Sequence, residues 1–242
     1  MVIEMRKILY VFVFGMCTIA SAGAVDLTVD TSDPLFLQAR SSFLSRTGLD
    51  YFENGLRIGQ SISYGLADKF ALGARVHYQI DFDGRENGFS SIDLGGIYRM
   101  GAADENDSRI IYDMLLGLKF GGSRNVRTPE YADSTYYVGL RLGRQYSGVT
   151  FAATIKSSWI FDDVPLGMAF IDFIPEVYFR VNNAWRFGAN FGLRKATNAH
   201  YNEESIGAKL VREYGRTQYV GHIDYAFEAK DISAGASVNI LF

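Results

Sequence analysis

The stretch Lys69–Phe82 reads KFALGARVHYQIDF, and its residues alternate in character. Every second residue from Phe70 to Phe82 is apolar, whereas the intervening residues from Lys69 to Asp81 are charged, polar or small. A period of two predicts a β-strand with one apolar face and one polar face. The stretch is longer than an ordinary strand of about 5–6 residues. It is long enough to cross a bilayer when tilted, which takes about 9–11 residues.

The polar face of such a strand cannot meet lipid and therefore needs an enclosed, hydrated interior. This alternation recurs along most of the chain and predicts an all-β fold, a closed antiparallel up-and-down transmembrane β-barrel. Twelve strands are expected, an even number as in bacterial barrels, with ten as the alternative. The predicted strands are 35–45, 56–66, 69–82, 89–100, 109–121, 135–145, 149–161, 168–182, 185–196, 204–214, 217–228 and 232–242.

Two segments fit this pattern poorly. The residues 35–45 alternate weakly, so 26–46 forms either a first strand or an N-terminal segment that lies in the periplasm or plugs the barrel. Pro175 lies in the middle of a predicted strand, where it removes a ladder donor. A bulge or a strand break is expected there.

The predicted connections alternate in length, as in barrels with short periplasmic turns and longer outer loops. The segment 46–55 is assigned to a long outer loop, and 101–108 is an unusually long connection on the short-turn side. Aromatic residues near both predicted ends of the apolar face, such as Tyr98 and Trp159, predict girdles at the two membrane interfaces.

The first residues, 1–24, are predicted to be a secretory signal peptide. Arg6 and Lys7 precede an apolar run that is too short to span a membrane, and small residues follow it. Cleavage after Ala22 or Ala24 would leave 25–242 as a single outer-membrane barrel domain. The one cysteine lies inside the signal peptide, so the exported part would use no disulfide.

The overall composition is compatible with a membrane barrel, in which about half of the residues face water. The mean hydropathy is near zero. The net charge of −3 argues against a nucleic-acid partner.

The last residues, DISAGASVNILF, alternate in the same way and end on Phe242. They resemble the C-terminal insertion signal of bacterial outer-membrane proteins, and Ser63–Gly73 resembles a strand–turn–strand of small porin-like barrels. The resemblance implies a place in the outer membrane with lipid as a partner. It also implies that periplasmic chaperones and the barrel-assembly machinery act during biogenesis, with Phe242 as an assembly signal.

The polar faces of the strands supply the candidate site, the lining of the lumen. Two functions remain open. The lumen is either a narrow channel for small polar or anionic solutes, or it is closed by internal ion pairs and carries a surface-binding platform on its outer loops. The predicted inward residues are Arg57, Arg75, His77, Asp81, Asp93, Arg99, Asp113, Lys119, Arg141, Lys156, Asp172, Glu176, Arg180, Arg186, Arg194, Lys209, Glu213, His222, Asp224 and Glu228.

A hydrolase is a minor alternative. His222 and Asp224 lie two residues apart on one strand face and resemble the Asp–His pair of omptin proteases. A second acidic pair and the Ser–His arrangement of barrel phospholipases are not found in the sequence. We therefore expect no enzymatic activity, no catalytic residue, no metal and no cofactor.

Overall fold

The computed structural model describes residues 31–52, 55–84, 87–105, 108–122, 134–161, 169–197 and 202–242. The predicted signal peptide and both of its cleavage sites lie outside these ranges. None of the described residues forms a helix long and apolar enough to cross a membrane.

The described residues form one closed antiparallel barrel in which each strand pairs with its neighbours in sequence. The first and last strands pair with each other and close the wall. The prediction of a twelve-stranded antiparallel barrel is confirmed. The strands are β1 (Phe43–Phe52), β2 (Gly55–Ala67), β3 (Phe70–Asp81), β4 (Gly88–Glu105), β5 (Ser108–Gly121), β6 (Thr135–Tyr146), β7 (Val149–Ile160), β8 (Ala169–Arg180), β9 (Trp185–Ala196), β10 (Asn202–Tyr214), β11 (Thr217–Ala226) and β12 (Asp231–Leu241).

The apolar face of each strand forms the outside of the barrel. Leu72 is 44% exposed and Ile155 is 50% exposed, as are large apolar side chains on the other strands. Aromatic rings cluster on this surface, for example Tyr136, which stacks on Trp159 with ring centroids 5.0 Å apart. A continuous apolar exterior of this kind is far larger than soluble monomers normally expose.

The prediction for the first strand is wrong. β1 begins at Phe43 rather than at residue 35, and most of the predicted outer loop 46–55 belongs to β1. Within it, Arg46, Gly48 and Asp50 alternate with exposed Leu49 and Tyr51. The charges of Arg46 and Asp50 suggested a loop, but a strand can carry them on its inward face.

The segment 101–108 is also not a long connection. β4 and β5 remain paired as far as Glu105 and Ser108, so the two strands extend beyond their neighbours. A register shift between Arg99 and Gly101 places a bulge at Met100. One extra residue on one strand of a pair is what defines a bulge.

Pro175 produces neither the predicted bulge nor a strand break. β8 is continuous, and Pro175 keeps its place opposite Ala153 of β7. On the other side, the pairing with β9 lapses between Phe173 and Glu176 and resumes in the same register. The missing donor of proline therefore interrupts the ladder locally without shifting it.

Residues 31–42 lie inside the barrel. Their backbone and side chains hydrogen-bond to side chains or carbonyl groups of β1, β2, β4, β6, β7, β10, β11 and β12. A segment that contacts strands around the whole circumference must lie within the wall. We call residues 31–42 the plug; it occupies the end of the barrel that carries the short turns.

Phe242 lies at the closing seam of the barrel. Its backbone exchanges two hydrogen bonds with Phe43, of 2.8 and 3.1 Å, and the two rings pack with centroids 5.9 Å apart. Phe242→Asp is expected to reduce the amount of folded barrel in the outer membrane severalfold, since a charge would replace an exposed apolar ring at the seam. The measurement is heat-modifiable mobility on a denaturing gel. Phe242→Tyr is the matched control, and normal assembly of Phe242→Asp would contradict the assembly-signal prediction.

Candidate functional site: the barrel interior

The most deeply buried charge of the described interior, that of Asp113, belongs to a triad beside the plug. Asp113 on β5 is fully buried. Its carboxylate accepts a 2.9 Å bond from Nε of Arg99 on β4 and bonds from Nε and Nη2 of Arg141 on β6. The three residues are cross-strand partners, because Arg99 and Arg141 both lie opposite Asp113 in the ladders.

A second charge cluster lies on the three adjacent strands β7, β8 and β9. The carboxylate of Asp172 on β8 pairs with Arg194 of β9 at 2.7 Å and with Lys156 of β7 at 3.0 Å. Register again explains the contact, since Lys156 and Arg194 flank Asp172 on the neighbouring strands. A carboxylate buried with two cationic partners keeps its charge compensated.

Two further ion pairs join residues that are not neighbours in sequence. Lys209 on β10 pairs with Glu176 on β8 at 2.5 Å, across the intervening strand β9. Arg186 pairs with Glu213 at 2.9 Å near the short-turn end. Much of the predicted inward charge is therefore neutralised within the wall.

The plug is held both through its side chains and through its carbonyl groups, to which cations of the wall donate. Nη2 of Arg99 donates to the Leu35 carbonyl at 2.6 Å, Nη2 of Arg141 donates to the Phe36 carbonyl at 3.4 Å, and Nζ of Lys209 donates to the Ser32 carbonyl at 2.9 Å. The side chain of Leu35 is buried against Ile111 and Ala152. These contacts occlude the short-turn end of the lumen.

Beyond the plug lies a cavity of about 330 Å³. Its lining combines three basic residues, Arg46, Arg75 and Lys209, with two acidic residues, Asp50 and Asp224. Ser32 of the plug forms part of its wall. Charged side chains that surround a hydrated space are the arrangement by which pores select ions.

Arg75 differs from the other cations of the cavity. Arg46 donates to Asn239 at 2.9 Å, and Lys209 is paired with Glu176. Within the described ranges, no hydrogen bond or ion pair fixes the guanidinium of Arg75, although Asp93 lies opposite it in the β3–β4 ladder. Its charge is therefore available to a solute in the cavity.

The remaining predicted lumen residues are distributed along the wall. His77 lines the cavity, and Arg57 stacks its guanidinium over Phe52, 5.5 Å from the ring centroid. Lys119 lies opposite Asp93 in the β4–β5 ladder. Three others lie towards the strand ends: Asp81 at the end of β3, Arg180 at the exposed end of β8, and Glu228, which accepts a bond from the backbone of Glu204.

The hydrogen bond of His222 goes to a residue that the sequence analysis did not select. Nε2 of His222 lies 3.2 Å from Oδ1 of Asp50 on β1. Asp224, the partner considered in the hydrolase alternative, lines the same cavity. Asp50 and Arg46 were missed because their segment was assigned to a loop. The alternation of Arg46, Gly48 and Asp50 with Thr47, Leu49 and Tyr51 was the signal that could have found them.

No group of three or more His, Cys, Asp or Glu side chains within the described part of the chain is arranged to hold a metal ion. The expectation that no metal or cofactor takes part remains a prediction.

Comparison with known proteins identifies the fold. No family model and no curated protein sequence matches the chain. Solved structures do match: the NanC porin, with a TM-score of 0.62 and 12% identity, covers 82% of this chain and 98% of its own. The KdgM porin, with a TM-score of 0.61 and 11% identity, covers 81% and 98%.

A further match is the KdgM porin in complex with disordered oligogalacturonate, with a TM-score of 0.60 and 12% identity, over 82% of this chain and 98% of that one. The chain has the fold of a small bacterial outer-membrane porin. The predicted porin-like barrel is thereby confirmed as a fold. Because the sequence identities are low, these matches do not identify the solute. The solute class must be inferred from the side chains of the lumen.

Proposed function

We propose that the protein is a narrow outer-membrane channel for small polar solutes, with a preference for anions. The charged cavity of about 330 Å³, enclosed by a barrel with an apolar exterior, is the observation that supports this most directly. The exterior meets lipid, and the polar cavity forms part of a hydrated path along the barrel axis. The fold shared with the NanC and KdgM porins favours the same function.

The anion preference follows from the charges around the cavity. The three cations Arg46, Arg75 and Lys209 outnumber Asp50 and Asp224, and Arg75 has no partner that would neutralise it within the described contacts. Unpaired positive charge at close quarters attracts anions and repels cations. The solved complex of the KdgM porin with oligogalacturonate makes acidic saccharides a reasonable class of solute to try first.

The closed platform is retained as the second candidate because one observation favours it. The plug and the ion pairs around Asp113 close the short-turn end of the lumen in this structure. In that case the outer loops would carry the function, and the barrel would only anchor them.

Planar-bilayer recording of the purified, folded protein distinguishes the two candidates. The channel predicts stepwise conductance and, across a potassium chloride gradient, a reversal potential of the sign given by chloride preference. Competition with galacturonate, compared with neutral galactose as the matched control, tests the solute class. Silence from protein whose folding is verified by heat-modifiable mobility would reject the channel and support the platform.

A further inference from the structure

The plug is bound in a way that allows it to leave. It forms no ladder with any strand, and its described polar contacts with the wall are hydrogen bonds to its carbonyl groups and hydrogen bonds through its side chains. Among the cations that donate to its carbonyl groups, Arg99 and Arg141 are paired with Asp113, and Lys209 is paired with Glu176. The fourth, Arg46, also donates to Asn239 and lines the cavity. Removing the plug would therefore break no ion pair among the described residues, and water could take over the hydrogen bonds.

The one carboxylate of the plug, that of Asp33, is held by neutral donors alone among the described contacts, and its one cation, Arg40, is exposed. The carboxylate of Asp33 accepts bonds from Gln145 at 3.0 Å and from Thr150 at 2.6 Å. It also accepts the backbone N–H of Leu35 at 2.8 Å, which shapes the local turn. Outside the barrel, water can replace all of these donors.

The plug is anchored at one end by a turn at the rim. Ser41 donates its N–H to the Gly65 carbonyl at 2.7 Å, and Gly65 donates to the Ser42 carbonyl at 3.0 Å. Ser41 adopts a left-handed backbone conformation with φ of 61°, which reverses the chain between the plug and β1. A β-carbon at Gly65 would collide with the backbone of Ala39, so this anchor requires glycine.

We propose that residues 31–42 are a removable gate that pivots on the turn at Ser41 and opens the short-turn end of the channel. This inference rests on the proposed channel function. When the plug is in place, the cavity ends at Ser32. When the plug is withdrawn, the lumen continues from the cavity past Arg99 and Arg141 to the short-turn end.

A reversible covalent lock tests the gate in the full-length chain. The two methyl groups of Leu35 lie 2.5 and 2.6 Å from the position of a β-carbon at Gly143, so Leu35→Cys with Gly143→Cys brings two thiols close together. A β-carbon there also lies 2.6 Å from the Phe151 carbonyl oxygen, so the strand must shift slightly in this variant and equally in its control. Diamide removes one hydrogen from each thiol and forms the disulfide, and dithiothreitol restores both thiols. The matched control is Leu35→Ser with Gly143→Ser, which has similar volume and cannot form the bond.

In bilayers, we expect the oxidised double-cysteine protein to lose its conductance and to regain it after reduction, whereas the double-serine protein responds to neither reagent. Equal conductance of the oxidised and reduced forms, with the disulfide verified by mass, would overturn the gate and leave the channel intact. Silence of the wild type, the reduced variant and the control would reject the channel, and the gate with it.

A second measurement follows the plug without any recording of current. The side chain of Leu35 is buried in the structure. In the Leu35→Cys variant, the rate at which a polar thiol reagent labels the cysteine therefore reports how often the plug leaves the barrel. Adding Asp33→Ala is expected to raise that rate about tenfold, since it removes hydrogen bonds to the wall. Asp68→Ala, an exposed carboxylate at the same end of the barrel, is the control. A labelling rate that Asp33→Ala leaves unchanged would show that the plug is a fixed part of the fold.

Discussion

Asp113→Asn is expected to lower the free energy of unfolding of the barrel by about 3–5 kcal/mol, the usual cost of breaking a buried ion pair from one side. Asp113 is fully buried and is the shared partner of Arg99 and Arg141. The neutral amide would leave two cations in the wall without compensating charge. Denaturant titration in lipid vesicles, followed by gel mobility, measures the change.

Asp104→Asn provides the matched control on the neighbouring strand. Its carboxylate lies 3.8 Å from Arg109, and the two side chains are 90% and 50% exposed. Exposed pairs contribute little because water screens them. If Asp113→Asn unfolds at the same denaturant concentration as Asp104→Asn, the triad does not stabilise the barrel, and the inner wall at that point is hydrated.

Arg75→Glu is expected to reverse the ion preference of the channel from anions to cations. The substitution changes the charge beside the cavity by two units. Arg75 forms no ion pair with any of the described residues, so the substitution breaks none. At separations of a few ångströms in a narrow lumen, such a change outweighs the thermal energy. The reversal potential across a potassium chloride gradient should change sign, while gel mobility and melting temperature stay close to wild type.

Arg109→Glu is the appropriate control for this experiment. It makes the same change in net charge at a half-exposed position near the start of β5, away from the cavity. A reversal potential that is unaffected by Arg75→Glu would show that ions do not pass Arg75. A shift of equal size in Arg109→Glu would assign the selectivity to the overall charge of the protein.

Arg141 and Arg194 are not suitable for the selectivity experiment, although both were predicted to line the lumen. Arg141 is bound to Asp113 and Arg194 is bound to Asp172. Neutralising either would leave a buried carboxylate with one partner fewer. A change in current could then reflect altered folding rather than altered selectivity.

The strands could be predicted because their signal is local. From Phe70 to Asp81, successive side chains alternate between the lipid-facing and inward surfaces. The same alternation between apolar and polar residues is visible in the sequence. The predicted strand boundaries were wrong where charged residues suggested a loop in spite of the two-residue period. Arg46 and Asp50 suggested a loop within β1, and the acidic tip 101–108 suggested a longer connection than the hairpin contains.

Which charged residues pair with each other was harder to predict from the sequence than the strands were. That Asp113, Arg99 and Arg141 face inward follows from alternation, but their contact depends on the register of three strands. The bulge at Met100 belongs to that register and has no clear mark in the sequence. The pairs Lys209–Glu176 and His222–Asp50 depend in addition on the curvature of the closed wall.

The sequence by itself determined the class of fold, because a two-residue period with one lipid-compatible face has few solutions other than a closed barrel. Only the tertiary structure decided between a first strand and a plug for the N-terminal segment. Residues 31–42 carry no regular period, and they are held by partners such as Gln218 and Asn239, which lie 187 and 208 residues further along the chain. Those donors and acceptors surround the plug because β1 and β12 pair and close the barrel.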